Sequence, residues 1–357
     1  MSICLQDTRV LEIRTHGRRE MSGNRPRWEA FVARRGEPLP SFHPGWLSAL
    51  ERGLGHRPYC LEAIEGGETR GLLPLAFLKS LLFGRFLVGL PYLNYGGVLA
   101  DDESVARALI DRAIDLAEEL DVRHLELRHD RAFDHPKLTR RPGAKVHMRR
   151  PLPADAEALW SDLPSAVRNQ VRKARKFGLE VRWGGEELTS DFYRVFSRNM
   201  RDLGTPVFGR GLFSSILREF PDSAEHCVVR AGDEPLAAAL LVHGRGITEV
   251  PSASSLRQHN HTCANMLLYW SLLERSVQRG QTHFDFGRST PDGSVYKFKK
   301  QWGGRPEPAE WQYYVRKGDS SDVRPDNPRY GRMIRVWQRL PVGLTRLLGP
   351  RIVRGIP

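Results

Sequence analysis

The sequence predicts an α/β (α+β) fold made of two tandem domains of the same kind, because one pattern occurs twice. An amphipathic helix followed by a short alternating strand recurs about 160 residues apart, with the strands at 124–127 and 283–286. A strand, a turn and a second strand precede each helix, at 59–77 and at 227–242. A unit that recurs with its hairpin indicates a duplicated domain. Two like domains facing each other enclose a cleft, so we expect the functional site where the copies differ.

The two helices are predicted from the spacing of their apolar residues. In the first copy these are Leu109, Ile110, Ala113, Ile114, Ala117 and Leu120, and in the second they are Met266, Leu267, Trp270, Leu273 and Val277. Intervals of one, three and four residues place side chains on one face of a helix. Each helix can therefore pack that face against the sheet of its own copy.

Length and composition limit the class of protein. The chain of 357 residues accommodates a first domain at 1–150, a second at 151–318 and a basic amphipathic tail at 319–357. No apolar run approaches the roughly 18 residues of a membrane helix, and the amino-terminal residues lack a secretory signal. The four cysteines have no CxxC spacing, so no metal is expected. These features predict a cytoplasmic protein.

The net charge of +13 favours anionic partners such as phosphates, nucleic acid or an acidic membrane face. The sharpest concentration of charge is a predicted helix from Pro164 to Gly178, whose cations are Arg168, Arg172, Lys173, Arg175 and Lys176. Like charges at spacings of three and four repel each other, so a binding role would explain their presence. We interpret this helix as a docking surface for a phosphate-bearing substrate, and a solvated basic face is the alternative.

Polar residues that precede and open the second-copy helix are candidate ligand contacts. They are Thr205, Ser254, Arg257, His259 and Asn265. Small hydroxyl residues on the strand would leave backbone groups open to a ligand. Turn chemistry alone is the alternative for Thr205, and an N-cap role is the alternative for Asn265.

The two copies diverge after their second strand. In the second copy, Arg288 and a turn lead into Tyr296, Lys297, Phe298, Lys299 and Lys300, whereas the first copy continues with Arg128-His129-Asp130 and a proline-rich exit. This divergence indicates that the second copy carries the functional site.

Several of these segments resemble a known family. The segment 296–303, YKFKKQWG, resembles the Y-x-F-K-x-x-(F/W)-G element of the FemAB and FemX aminoacyltransferases of peptidoglycan cross-bridges, which form a branch of the GNAT acyltransferase superfamily. The basic helix resembles the one that opens that family's second domain. The strings NMRDLGTPV, SSLRQHN, NMLLYW and FDFGRST resemble more closely a FemAB-like subgroup associated with exosortase and PEP-CTERM systems and with exopolysaccharide loci.

The resemblance implies two GNAT-like acyltransferase domains packed side by side, with Phe298 and Lys299 at the acyl-transfer centre of the second. A fixed cation beside a carbonyl that is attacked by an amine lowers the barrier by about 3 to 4 kcal/mol. Lys299 is therefore our candidate for stabilising the oxyanion, and a surface lysine on a basic strand is the alternative.

A base must take the proton of the attacking amine, and the candidates are His259, Asp285 and a water relay. Asp285 alternates with two phenylalanines, so it can point into the cleft. Its counterpart Glu126 in the first copy suggests instead a shared structural role, and a loop histidine such as His259 is usually only solvated.

Aromatic residues in the first domain are also candidates for substrate binding. Tyr92, Asn94 and Tyr95 lie in the segment GLPYLNYGGV, where they would form a wall for a sugar or acyl group. A buried hairpin would need similar residues and is the alternative.

The carboxyl-terminal segment reads as a basic amphipathic helix. Met333, Ile334, Trp337 and Leu340 share a stripe beside Arg332, Arg335 and Arg339. Such a helix either lies on an anionic membrane surface or packs on the first domain.

Together these observations predict an N-acyltransferase or aminoacyltransferase that acts on an amine of a cell-envelope or exopolysaccharide precursor. The acceptor would be a phosphate-bearing glycan or a lipid-linked precursor at the inner face of the plasma membrane. The acyl donor stays open among acyl-CoA, acyl carrier protein and aminoacyl-tRNA, because neither a Q/R-x-x-G-x-G/A phosphate cradle nor a coiled-coil arm is present. A non-catalytic glycan- or nucleic-acid-binding protein on the same fold is the alternative.

Overall fold

The computed structural model describes residues 10–140, 145–318 and 331–357. Its strands, in chain order, are β1 (Glu12–His16), β2 (Arg57–Glu65), β3 (Glu68–Ser80), β4 (Gly84–Val88), β5 (Leu99–Ala100), β6 (His124–His129), β7 (Thr139–Arg140), β8 (Val146–Pro151), β9 (Glu180–Gly184), β10 (Ala224–Ala231), β11 (Glu234–His243), β12 (Ile247–Ser255), β13 (His283–Ser289), β14 (Arg305–Pro308) and β15 (Glu310–Val315).

The helices are α1 (Met21–Arg34), α2 (Gly45–Leu54), α3 (Glu103–Glu119), α4 (Ala156–Asp162), α5 (Ser165–Lys176), α6 (Thr189–Leu203), α7 (Arg210–Glu219), α8 (Ala264–Gln278), α9 (Ser294–Gln301), α10 (Gly331–Arg339) and α11 (Val342–Val353). Short 3-10 turns lie at Arg18–Glu20, Pro40–Phe42, Glu186–Leu188 and Arg257–Thr262.

The duplicated α/β architecture is confirmed. In each half, three strands form an antiparallel meander, β2-β3-β4 in the first and β10-β11-β12 in the second. A helix then returns the chain to a strand that pairs in parallel with the last strand of the meander, so that α3 leads to β6 and α8 leads to β13. The hairpins and the two helices fall where the sequence pattern places them, because the apolar periodicity of both copies is regular.

The two sheets exchange a strand. The first sheet has the order β1-β2-β3-β4-β6-β15-β7, and the second has the order β14-β8-β13-β12-β11-β10-β9. Strand β8, from the first half of the sequence, therefore lies in the second sheet, while β15 completes the first sheet from the far end of the chain. The domain boundaries predicted at residues 150 and 318 follow the repeat in the sequence. The two sheets do not follow these boundaries, because each contains a strand from the other side of one of them.

A shared apolar core joins the two domains. It includes Trp46 on α2 and Phe213 on α7, both almost fully buried. These helices approach so closely that a Cβ on Gly53 would lie 2.6 Å from the Cα of Leu212. The relative position of the two sheets is therefore set by close packing.

The carboxyl-terminal helices pack mainly on the second domain, and not on the first domain alone as one interpretation of the sequence expected. Arg201 on α6 donates to the carbonyl of Leu340 at 2.9 Å, and Arg346 on α11 donates to Ser197 Oγ on α6 at 2.8 Å. The first domain adds a bond from the Tyr92 hydroxyl to the carbonyl of Val353 at 3.3 Å. Among the described residues, no helix combines the length and apolar character that crossing a bilayer requires.

Candidate active site

Two parallel strands of the second sheet separate at the centre of the domain. Strands β12 and β13 pair only through Ile247 with His283, Thr248 with Phe284 and Glu249 with Asp285. Beyond this point β12 stays paired with β11 as far as Ser255, and β13 stays paired with β8 as far as Ser289. The facing edges of the two diverging segments are thus not paired with each other.

A pocket of about 350 Å³ lies at the end of β12, against the start of α8. Its polar lining consists of Gln170, Asn199, Ser255, Arg257, His259, Asn260 and Asn265. The structure therefore brings together three residues that the sequence singled out, Arg257, His259 and Asn265. Asn199 and Gln170 complete the wall from α6 and α5.

The first turn of α8 faces this pocket. Cys263 occupies the N-cap position with a left-handed φ of 58° and gives no side-chain cap, while Thr262 Oγ1 accepts from the backbone N–H of Ala264 at 3.3 Å. The alternative role of Asn265 as N-cap is therefore wrong, because Asn265 lies inside the first turn and lines the pocket. The amino terminus of a helix carries partial positive charge and suits phosphate or carboxylate groups.

The basic helix α5 borders the pocket with only one of its faces. Gln170 lines the pocket, and Phe177, two turns further on the same face, contacts the ring of His261 with centroids 5.9 Å apart. Arg168 and Arg172 project to the opposite side, where the guanidinium of Arg172 lies 5.5 Å from the Trp160 ring centroid. The structure thus does not bring Arg168 and Arg172 into the pocket.

Two other predicted contacts have structural roles. Ser254 is buried and its hydroxyl accepts a bond from Asn199 Nδ2 at 3.1 Å, which orients the pocket-lining amide. Thr205 follows the end of α6, and its backbone N–H donates to the carbonyl of Met200 at 2.9 Å. The turn interpretation of Thr205 therefore holds, because Gly204 in a left-handed conformation ends the helix.

Lys299 lies on helix α9, so the alternative of a surface lysine on a strand is wrong. Its side chain is buried, with 6% of the residue exposed, and the ammonium donates to the carbonyls of Gly287 at 3.1 Å and Arg288 at 2.8 Å. These carbonyls belong to the diverging part of β13. An ammonium has three N–H groups, so a third can serve another acceptor at this place. Burial lowers the pKa of Lys299 to about 8, opposed by the charge of Asp285.

The aromatic residues of the same segment pack between α8 and α9. The ring of Phe298 meets that of Tyr269 with centroids 4.8 Å apart, and Tyr296 is half-buried against the same cluster. Arg288 points elsewhere, since its guanidinium lies 4.6 Å from the ring centroid of Trp311. Phe298 thus packs against the apolar core of the second domain, and Arg288 contributes its carbonyl to the bond with Lys299.

Asp285 is fully buried and does not point into an open cleft. Its carboxylate accepts bonds from the Tyr95 hydroxyl at 2.6 Å, from Arg149 Nε at 3.2 Å and from the backbone N–H of Gly287 at 2.6 Å. This network ties the first domain to the start of the diverging strands. Asp285 therefore serves to position β13, which fits the shared structural role that Glu126 suggested.

The aromatic segment of the first domain closes the equivalent gap in that domain. Gly89 and Gly96 both bond to β6, at 2.8 and 2.9 Å, and their backbones touch, so the chain between them fills the space beyond β4. Tyr95 is buried, and Tyr92 has a φ of 72° and bonds with His56 Nε2 at 2.9 Å. The proposed sugar wall is wrong for these two residues, whose rings are used in packing.

Asn94 is the third residue that the sequence proposed for the substrate wall, and it contacts the second domain. Its side-chain oxygen accepts from the backbone N–H of Arg288 at 3.4 Å, and a Cβ on Gly287 would lie 2.9 Å from its nitrogen. Asn94 thus supports the same part of β13 as Lys299 does.

Glu249 is a buried carboxyl group that sequence reasoning did not single out. It lies where β12 and β13 separate, and Ser41 Oγ of the first domain donates to it at 2.5 Å. Burial raises the pKa of Glu249 to about 8, from 4.5. The pattern of strand β12 does not reveal that the Glu249 carboxyl group is buried, because its partner Ser41 lies more than two hundred positions away in the chain.

We expect Glu249 to make stability depend on pH. The folded protein holds a proton that the unfolded chain releases, so this contribution is complete below pH 4.5 and is lost as the pH rises to about 8. The substitution Glu249→Gln keeps a hydrogen-bond partner for Ser41 and removes the titration. Urea unfolding between about pH 5 and 9 should show a flatter pH dependence in the variant. Identical curves for both proteins would contradict the buried, protonated state.

Cys263 offers a chemical test of the pocket. It is half-buried and lines the pocket, whereas burial raises the thiol pKa values of Cys60 and Cys227 well above 9. In a Cys4→Ser background, a bulky maleimide should react fastest with Cys263 and inhibit the enzyme. A bound donor should slow this labelling. Cys263→Ser is the control and should be active and insensitive, and inhibition of that variant would show that the reagent acts elsewhere.

In the described part of the chain, no three His, Cys, Asp or Glu side chains are grouped so as to hold a metal ion.

The segment that contains the pocket and Lys299 matches a known domain. Residues 164–300 match the acetyltransferase (GNAT) domain. The second domain is therefore of the acyltransferase class, and the predicted enzyme class is confirmed. No curated protein matches the chain.

Solved structures with the same architecture are distant in sequence. FemX is 16% identical, over 82% of this chain and 96% of that chain, with a TM-score of 0.61. A tandem GNAT protein from the clavulanic acid biosynthesis pathway is 13% identical, over 86% and 100%, with a TM-score of 0.52. L-PGS from Bacillus licheniformis is 12% identical, over 91% and 96%, with a TM-score of 0.53. These likenesses establish the fold, which is that of two GNAT-like domains in tandem.

Proposed function

We propose that the protein transfers an acyl or aminoacyl group to an amine of a phosphate-bearing cell-envelope or exopolysaccharide precursor. The observation that carries this proposal is the pocket at the end of β12, against the first turn of α8. In an acyltransferase, this pocket would hold the acyl donor with its carbonyl group directed towards the point where β12 and β13 separate. The resemblance to the FemAB-like subgroup of exosortase and PEP-CTERM systems supports the acceptor class.

The donor binds through its phosphates. Acyl-CoA, acyl carrier protein and aminoacyl-tRNA all carry phosphate groups, and the pocket offers Arg257, His259 and the amino terminus of α8. The architecture shared with FemX and L-PGS supports an aminoacyl donor. Nucleic acid enters this proposal only as a tRNA-borne donor.

The chemistry needs a cation near the carbonyl and an acceptor for one proton. The amine nitrogen attacks the carbonyl carbon, a new C–N bond forms, and the bond from that carbon to the oxygen or sulfur of the donor breaks. The ammonium of Lys299 stabilises the negative charge that develops on the carbonyl oxygen. His259 or a water relay takes the proton of the amine and returns it to the leaving oxygen or sulfur.

A lipid-linked acceptor places the enzyme in the cytoplasm at the inner face of the plasma membrane. The alternative of a non-catalytic glycan- or nucleic-acid-binding protein is not proposed, because the match to the acetyltransferase domain spans both the pocket and Lys299.

The test is a donor and acceptor panel read by mass spectrometry. The purified protein is incubated with acetyl-CoA, an acylated carrier protein or charged tRNA, together with nucleotide-linked and lipid-linked glycans that carry a free amine. A mass increase of one acyl or aminoacyl group on one acceptor supports the proposal. Lys299→Met should lower the rate of product formation at least about a hundredfold. Lys297→Met, which changes an exposed lysine on the same helix, should leave the rate unchanged. Binding of these compounds without any transfer would overturn the proposal.

A further inference from the structure

The turn between β3 and β4 presents two leucines to solvent. Leu82 is 78% exposed and Leu81 is fully exposed. Both lie at the tip of the hairpin, where a polar turn would be expected in a protein surrounded by water.

The two carboxyl-terminal helices also present apolar residues to solvent. On α11, Leu344, Leu347 and Leu348 are exposed, while Thr345, Gly349 and Val353 on the other side of the helix are buried. On α10, Met333 is 64% exposed and Val336 is also exposed. Both helices therefore leave apolar side chains exposed after packing on the rest of the protein.

These elements belong to one surface. Both helices rest on α6 and on the turn that follows it, since Ile334 on α10 lies against Gly204, and Gly349 on α11 lies against Val207. The chain after α11 then meets the base of the hairpin, where a Cβ on Gly355 would lie 2.6 Å from the Cβ of Ser80. We call this the tail surface, defined by Leu81, Leu82, Met333, Val336, Leu344, Leu347 and Leu348.

The two carboxyl-terminal helices and the residues that follow them carry charge of one sign. Residues 331–357 contain six arginines and no aspartate or glutamate: Arg332, Arg335, Arg339, Arg346, Arg351 and Arg354. A second copy of the chain would bring six like charges against these six. An anionic lipid surface would meet them with opposite charge and would accept the leucines between its headgroups.

We propose that the tail surface docks the protein on an anionic bilayer, with the hairpin leucines and the α11 leucines in the interface. The five exposed arginines, Arg332, Arg335, Arg339, Arg351 and Arg354, lie at the headgroups, whereas Arg346 stays bonded to α6. The contact involves no acyl donor and no residue of the pocket, so it stands independently of the proposed transfer reaction. Each arginine that reaches the headgroups is expected to strengthen binding by about fivefold.

The test uses the full chain and flotation with lipid vesicles. Vesicles of phosphatidylcholine alone are compared with vesicles that also contain phosphatidylglycerol. The protein should float with the second kind only and should be released by salt. Leu81→Asp with Leu82→Asp, and separately Leu347→Asp with Leu348→Asp, should each weaken binding at least about tenfold, because each pair removes buried apolar area and adds repelled charge.

The control is Val10→Asp, which places the same charge on an exposed apolar position outside the tail surface and should bind like the parent. Circular dichroism and thermal unfolding show that each variant is folded. No flotation of the parent protein, or flotation that neither leucine pair changes, overturns the proposal. A concentration-dependent dimer that the Leu347 and Leu348 changes dissolve would also overturn it, in favour of self-association. Transfer to a water-soluble acceptor should be unchanged in these variants, which separates this proposal from the proposed reaction.

Discussion

Replacing Lys299 by methionine is expected to lower turnover by about a hundredfold to a thousandfold while the protein stays folded. Methionine keeps most of the buried volume and removes the cation that would face the developing oxyanion. Loss of one such donor typically costs about 2.7 to 4 kcal/mol of transition-state stabilisation. The measurement is kcat/KM with a saturating acceptor, together with thermal unfolding. Lys297→Met is the matched control on the exposed side of α9.

The pH dependence of the rate distinguishes a cation from a base at this position. Burial lowers the pKa of Lys299 to about 8, so the ammonium is present below that pH and is lost as the pH rises through it. A role as cation predicts a rate that falls above about pH 8 in the parent, and Lys299→Arg should move this fall upward because arginine stays charged. A rate that instead rises through pH 8 only when Lys299 is present would show that the neutral amine acts as the base.

Removing the carboxylate of Asp285 should destabilise the protein by about 3 kcal/mol, at the lower end of the range for breaking a buried ion pair. Asp285→Ala leaves the Tyr95 hydroxyl and the Gly287 N–H without their acceptor. Arg149 keeps Asp130 at 3.0 Å and Glu307 at 3.0 Å, which limits the loss. Urea denaturation followed by tryptophan fluorescence measures the change in the free energy of unfolding.

The matched control removes an exposed partner of the same arginine. Asp130→Ala breaks an ion pair whose carboxylate is half exposed, so its effect should stay below about 1 kcal/mol. Equal effects of the two substitutions would contradict the positioning role of Asp285. A variant Asp285→Asn that unfolds like the parent and yet loses all activity would favour the sequence-based hypothesis that Asp285 is the base.

The duplicated fold could be predicted because each signal lies within one helix or one hairpin. The apolar spacing of Leu109 to Leu120 and of Met266 to Val277 fixes two helices without knowledge of the rest of the chain. The exchange of β8 and β15 could not be predicted this way, since the residues of a short strand do not indicate which distant strand it pairs with.

The candidate site was predictable only where its residues are neighbours in sequence. Arg257, His259 and Asn265 lie within nine positions and reach one pocket. Arg168 and Arg172 were misplaced because a helix with charge around most of its circumference does not reveal which side meets a partner. Tyr95 and Asp285 form one network from opposite domains, and only the tertiary packing decides that both are buried.

The exchanged strands bear on how the chain is made. Strand β6 has β15 as one of its two neighbours, so this edge stays open on the ribosome until residues 310–315 have emerged. During that interval the unpaired backbone N–H and C=O groups on this edge of β6 are available to other nascent chains. Truncation before β15 should therefore yield insoluble protein even though the first domain's sequence is complete, and chaperone dependence should be greatest in the last stage of synthesis.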